Sequence, residues 1–225
     1  MTLDLLDGGE LYGVRFDLDR RRGTAAHLRL TTPLGPVIVP SAISIRRDPP
    51  WLPVRPQPPR PFEFLDRGLA PEFTRAALPI VDPREMAAEK IAAFWRRAAA
   101  RDLYDLDHLG RVTQATFDGP GIAALAALKI YFDVVEEGLG HQPADLREVF
   151  GRPQTIVRGA EDLGHLQVST LDAGQLLAMC ARRYAALAAL GGDLAHLATT
   201  CDPRDHWVAR QARDELIARL TSPHE

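Results

Sequence analysis

The sequence predicts an α+β protein in two domains: residues 1–115, a sheet joined through a Pro-rich connector to the first helices, and residues 116–225, a helical bundle. Three observations predict it. Residues 11–47 alternate apolar and polar side chains with period two, residues 48–61 are saturated with proline, and from Asp82 onward capped helical patterns follow one another to the C-terminus.

In the stretch "LYGVRFDLD", Val14, Phe16 and Leu18 fall on one face of a strand and Arg15, Asp17 and Asp19 on the other. The polar "RRRGT" then turns the chain into "AAHLRLTT", and "PLG" leads to "PVIVPSAISI", so a half-buried hairpin with a third strand is expected. "DPPWLPVRPQPPRP", 48–61, holds seven prolines in fourteen positions. Without their N–H groups neither a helix nor much ladder pairing can form, which predicts an extended connector along the surface.

Asp82 is placed to cap a helix of about four turns, with Pro83 at the first helical position and Glu85 completing a capping box. Met86, Ile91, Phe94 and Trp95 supply its apolar side. "RDLYDLDHL" carries a second helical stretch. After Gly119-Pro120-Gly121, helices are expected in "IAALAALKIYFDVVEEGL", "PADLREVF", "DAGQLLAMCARRYAALAALG" and "PRDHWVARQARDELIARL".

Composition narrows the function classes. The chain has 225 residues, 46% of them hydrophobic, enough for a substantial core. No apolar run approaches the roughly 20 residues of a bilayer span, and "MTLDLLDGGE" lacks the features of a secretory leader, so a cytoplasmic protein without a membrane partner is expected. The net charge of −3 argues against a globally basic nucleic-acid binder but leaves room for local basic surfaces. Cys180 and Cys201 have no metal-like spacing and read as buried thiols. The seven histidines, His108, His196 and His206 among them, form no helical pair of metal ligands, and there is neither a Walker-type loop nor a serine elbow.

Of 27 basic residues only two, Lys90 and Lys129, are lysines. Where arginine supplies nearly every solvated cation, a lysine points to a need for a compact, flexible point charge that the planar guanidinium does not replace. Fifteen residues beyond Lys90 lies Asp105, with Asp102 between them and Asp107 just after. On one continuous helix Lys90 and Asp105 would stand about 22 Å apart along the axis. They can meet only if the chain turns at "RRAAAR", residues 96–101. Asp102 then falls in the first turn of the second helix, where the helix dipole favours a carboxylate, and Arg101 and Asp105 have i,i+4 spacing for an ion pair. Spacing alone is satisfied by capping and a surface pair. A lysine beside closely spaced aspartates also meets part of the demand of phosphoryl-type chemistry, a mobile cation for phosphates and carboxylates for metal or proton.

"MAAEKIAAFWRRAAARDLYDLDHL" resembles the late motif region of the AbiEii/AbiGii-type (MenT-like) nucleotidyltransferase toxins. The residues that carry the resemblance are Glu85, Glu89 and Lys90, then Arg101, Asp102, Tyr104, Asp105 and Leu106. It implies a nucleotidyltransferase-like domain with a mixed sheet, followed by a helical domain. It also implies a toxin that transfers nucleotides from a nucleoside triphosphate, with magnesium, to an RNA acceptor such as the 3′ end of tRNA, and a cognate antitoxin. By the same resemblance Lys90 would contact the triphosphate, Asp105 or Asp102 would be the late catalytic aspartate, and Arg101 would orient it.

The family also carries an early motif, a Gly-Gly or Gly-Ser turn followed by an Asp-x-Asp or Asp-x-Glu pair for the metals. Here "DGGELYGVRFDLD" offers Gly8, Gly9, Asp17 and Asp19, at a short spacing with no Ser or Thr after the glycines, and Ser44 stands where an inward acid would be expected. Either Asp17 and Asp19 are a compressed form of that motif, sharing a metal from one strand face, or the chain begins downstream of it; the second is the expectation. A different class of function, a non-catalytic relative that binds protein or RNA through the same surface, is the alternative.

Overall fold

The computed structural model describes residues 9–11, 14–22, 25–32, 35–44, 50–57, 77–113, 117–137, 142–151 and 172–222, the first four of these segments as backbone strands only. The chain divides into two compact units, Met1–Pro49 and Pro50–Glu225. The division falls earlier than residue 115, so the helices that hold Lys90 and Asp105 belong to the second unit.

In the first unit, β1 (Gly9–Leu11), β2 (Val14–Arg22), β3 (Ala25–Thr32) and β4 (Gly35–Ser44) form one sheet in chain order, antiparallel throughout. The expected three strands are therefore four, and no parallel pair occurs among the described strands. The pairs Leu11 with Val14, Arg22 with Ala25 and Thr32 with Gly35 leave two residues at each reversal, the shortest hairpin connection. The β2–β3 register slips between Leu18 and Arg20, which makes Asp19 the extra residue of a bulge. A second slip, between Leu28 and Leu30, faces the part of β4 that holds Pro40, which has no N–H to give the ladder.

The second unit begins with the connector, of which 50–57 is described; 48–49 and 58–61 lie outside the described residues. It is less detached than its prolines predict. Leu52 is buried in the core, and β5 (Arg55–Gln57) pairs antiparallel with β6 (Leu78–Ile80). The ladder is short for the expected reason: Pro56 faces Pro79 at its centre, and neither can donate.

Seven α-helices follow among the described residues: α1 (Pro83–Arg97), α2 (Ala100–Val112), α3 (Gly119–Phe132), α4 (Ala173–Arg183), α5 (Ala186–Ala189), α6 (Gly192–Thr200) and α7 (His206–Thr221). α3 is the axis. Every residue from Gly121 to Phe132 is buried, Lys129 included, and the helix packs against α1, α5, α6 and α7. This explains why "IAALAALKIYF" shows almost no polar face: a helix surrounded on all sides needs none. α2 packs against α1 and α4 instead. Phe94, Phe150 and Tyr184 stack in series, at 5.7 and 6.1 Å between ring centroids, joining α1 to the C-terminal helices. No helix among the described residues is long and apolar enough to cross a membrane.

Two helical expectations change. "PADLREVF" yields only a 3-10 turn, Leu146–Glu148, because Ala144, Leu146 and Val149 are buried as single plugs and not along one stripe. "DAGQLLAMCARRYAALAALG" divides at Tyr184 into α4 and the short α5.

Candidate active site

α1 starts as expected on Asp82, whose Oδ1 accepts the Arg84 N–H at 2.9 Å, with Pro83 in the first turn. Burial on its own would push the Asp82 carboxyl up, but the hydrogen bonds and charge of Arg84 prevail and hold it below the usual carboxylate range. Glu85 does not complete a capping box. It points into the protein, fully buried, where Oε1 accepts the Trp51 N–H at 2.8 Å and Oε2 the Leu52 N–H at 2.7 Å. Lys129 Nζ of α3 donates to Glu85 Oε1 at 2.6 Å and to Glu89 Oε1 at 3.1 Å, and lies 4.0 Å from the centre of the Trp51 ring. Glu85, a helix-start residue by sequence, is thus the anchor that fastens the connector to α1 and α3.

α1 ends at Ala98, which takes the left-handed conformation at φ 49° and donates its N–H to Phe94 O at 2.8 Å. A left-handed cap is ordinarily glycine, and an alanine there costs about 1 kcal/mol. Ala99 is extended and α2 begins at Ala100. The turn required between Lys90 and Asp105 therefore falls within "RRAAAR".

Its effect is to bring α2's first two turns across Lys90. Lys90 Nζ donates to Asp105 Oδ2 at 2.5 Å and stands 3.8 Å from Asp102 Oδ1. Asp102 is fully buried in the first turn of α2, whereas the side chains of Lys90 and Asp105 keep 34% and 40% of their surface exposed. Both oxygens of Asp102 are held by Arg97: Nε donates to Oδ2 at 2.7 Å and the Nη2 atom donates to Oδ1. The Asp102 hydrogen bond, ahead of burial's opposite pull, raises the Arg97 guanidinium above its usual range, so its charge is permanent.

The structure thus brings together Lys90, Asp105 and Asp102, and places Arg101 elsewhere. Arg101 is exposed on α2, and none of the ion pairs among the described residues involves it; the spacing-based pair with Asp105 is replaced by Lys90, reaching in from α1. Arg97, the last residue of α1, takes the place expected for Arg101 beside an aspartate. Spacing within α2 could not find it, because the contact crosses the turn. Lys129 had the same sequence signal as Lys90, scarcity, which singled it out without indicating its partners. Asp107 lies apart from the pair: buried, it accepts from Arg183 Nη1 at 2.9 Å and faces Arg111 Nε at 3.0 Å, tying α2 to α4. Arg183 reaches it across Gly110, where a Cβ would lie 2.1 Å from the arginine Cδ.

Asp17 and Asp19 stand on β2 on either side of Leu18, Asp17 opposite Arg29. The bulge at Asp19 interrupts the strict alternation on which a shared face depends. Their side chains, and Gly8, lie outside the described residues.

The described residues thus give an antiparallel sheet in one unit and, in the other, helices built around a buried α3 with a lysine and an aspartate apposed across a helix–turn–helix. Residues 12–190 match the family described as nucleotidyl transferase AbiEii toxin, type IV toxin–antitoxin system, and the chain belongs to that family. Its structure is similar to that of MenT4, a nucleotidyltransferase toxin from Mycobacterium tuberculosis H37Rv. The TM-score is 0.78 at 30% identity, over 95% of this chain and 71% of that one. No curated protein matches by sequence.

The family implies a nucleoside triphosphate substrate and, typically, a divalent metal. Among the described residues no three or more His, Cys, Asp or Glu side chains are grouped to hold one, and Asp102 and Asp105 already face Arg97 and Lys90. Held in this way, the described carboxylates do not fit a metal ion. Burial pushes the Cys180 thiol up to about 12 and the Cys201 thiol up to about 11, so both are held as thiols.

Proposed function

We propose that the protein transfers a nucleotide from a nucleoside triphosphate to an RNA acceptor, the 3′ end of a tRNA, as the toxin of a toxin–antitoxin pair with a cognate antitoxin. The observation that carries the reading is the contrast between the chain's two lysines. Lys129 is buried, its side chain 9% exposed, against a fully buried Glu85. Removing one partner of such a pair costs about 3–5 kcal/mol, so Lys129 is committed to the fold. Lys90 and Asp105 form a half-exposed pair worth about 1 kcal/mol or less. A triphosphate can displace Asp105 from Lys90 at little cost.

In this proposal Lys90 leaves Asp105 for the triphosphate and offsets the charge that grows on the departing pyrophosphate. Asp105, relieved of its counter-ion, accepts the proton of the attacking ribose hydroxyl as that oxygen bonds to the α-phosphorus and the bond to pyrophosphate breaks.

The test is incubation of the purified chain with tRNA, labelled nucleoside triphosphates and magnesium. Labelled tRNA is expected, with loss of both labelling and growth inhibition in Lys90→Ala. A chain that labels no RNA and whose growth inhibition survives Lys90→Ala is instead the non-catalytic binding relative.

A further inference from the structure

We infer that Arg97 is a positioning residue: by clamping both oxygens of buried Asp102 it fixes the carboxylate that holds Lys90 in register with Asp105. Three observations carry this. Asp102 is fully buried and its two oxygens accept from Arg97 Nε and Nη2, which leaves it no rotation about the carboxyl axis without breaking a charge-assisted bond. Lys90 Nζ stands 3.8 Å from Asp102 Oδ1 and 2.5 Å from Asp105 Oδ2, and so sits in a fork of two aspartates one helical turn apart. The Arg97 bond and the Lys90 contact fall on the same oxygen, Oδ1, so a shift of Asp102 towards or away from Arg97 changes the seat of Lys90 directly.

The roles of the two aspartates separate accordingly. Asp102 is saturated by a permanent cation and shut off from solvent, and so acts as the fixed wall of the fork. Asp105 is the open one, able to exchange partners. Arg97 spans the turn at Ala98, joining the last turn of α1 to the first turn of α2, so it holds the two halves of the fork as well as Asp102.

This assignment rests on Lys90 as the triphosphate-contacting group, and the test separates the two claims. The full chain is produced with ¹³C- and ¹⁵N-labelled lysine; because it holds only two lysines, Lys90 and Lys129 give two side-chain Cε–Hε signals, assigned with Lys90→Arg. In the absence of nucleotide, the Lys90 signal is expected away from the position of free lysine. In Arg97→Gln it should collapse to that position while the Lys129 signal stays, and Arg97→Lys should restore part of the displacement. An Arg97→Gln chain whose Lys90 signal does not move overturns the assignment, and so does one in which both lysine signals move together with a lowered melting temperature. Addition of ATP then reads the other claim: a Lys90 signal in the parent chain that ignores every nucleoside triphosphate refutes the catalytic reading and leaves the positioning result standing. Where transfer is measured, Arg97→Gln should lower kcat by roughly 100-fold, as for an Ångström-scale misplacement, with less change in KM.

Discussion

Lys90 Nζ and Asp105 Oδ2 are 2.5 Å apart although fifteen residues separate them on two helices. The contact exists because one alanine, Ala98, adopts a conformation that alanine ordinarily avoids. The proposed catalytic role and the structural cost therefore fall on different residues, and they can be tested apart. Lys90→Ala and Asp105→Asn should leave the melting temperature within about 3 °C, because the exposed pair contributes about 1 kcal/mol or less, while transfer activity is lost. Lys90→Arg should restore little activity, since a planar guanidinium does not reproduce a point charge. Thermal melts beside the tRNA-labelling assay check both halves.

The buried cluster should behave in the opposite way. Glu85→Gln leaves Lys129 buried with only Glu89 for charge, and removes the acceptor of two backbone N–H groups. A loss of about 3–5 kcal/mol is expected from urea unfolding. The Glu85→Gln, Lys129→Met pair should lose less than the sum of its two single variants, because the second change removes the charge that the first strands.

Ala98 is the third test. A β-branched side chain at positive φ is strained, so Ala98→Val should destabilise by about 1–3 kcal/mol and lower transfer by displacing α2. Ala98→Gly should fold at least as well as the parent wherever relief of the left-handed strain exceeds the loss of one buried methyl. Circular dichroism melts of the two variants, expected to diverge in sign, decide it.

Asp82 sets an acid limit. Its carboxyl is held below the unfolded value, so it contributes stability that is fully present above about pH 4 and is lost as the pH falls through the lower folded value. Asp82→Asn should therefore be less stable than the parent at neutral pH and should show a weaker decline of stability below pH about 4. Urea midpoints measured from pH 7 down to pH 3 give the comparison.

Much of this was readable beforehand where one residue type has one physical use. Asp82-Pro83 marked the start of α1, alternation marked the strands, and the need for Lys90 and Asp105 to meet placed a turn within residues 96–101. What escaped depended on contacts distant in sequence. Glu85 has the spacing of a capping residue, and only the approach of Trp51 and Lys129 takes it inward. Arg101 has the right i,i+4 spacing, but Arg97 reaches Asp102 across the turn, a geometry no periodicity encodes. Leu52 is buried amid prolines because a carboxylate receives its backbone, which connector composition alone does not reveal.

The turn at Ala98 also places a constraint on length. One residue added between Ala98 and Ala100 and taken up at the start of α2, with the turn unchanged, would move Asp105 by about 100° around the helix and about 1.5 Å along it, off Lys90, while leaving both helices intact. The interval from Lys90 to Asp105 should thus tolerate changes of identity on its exposed side more readily than any insertion or deletion. The site is kept as a count of residues as much as a set of them.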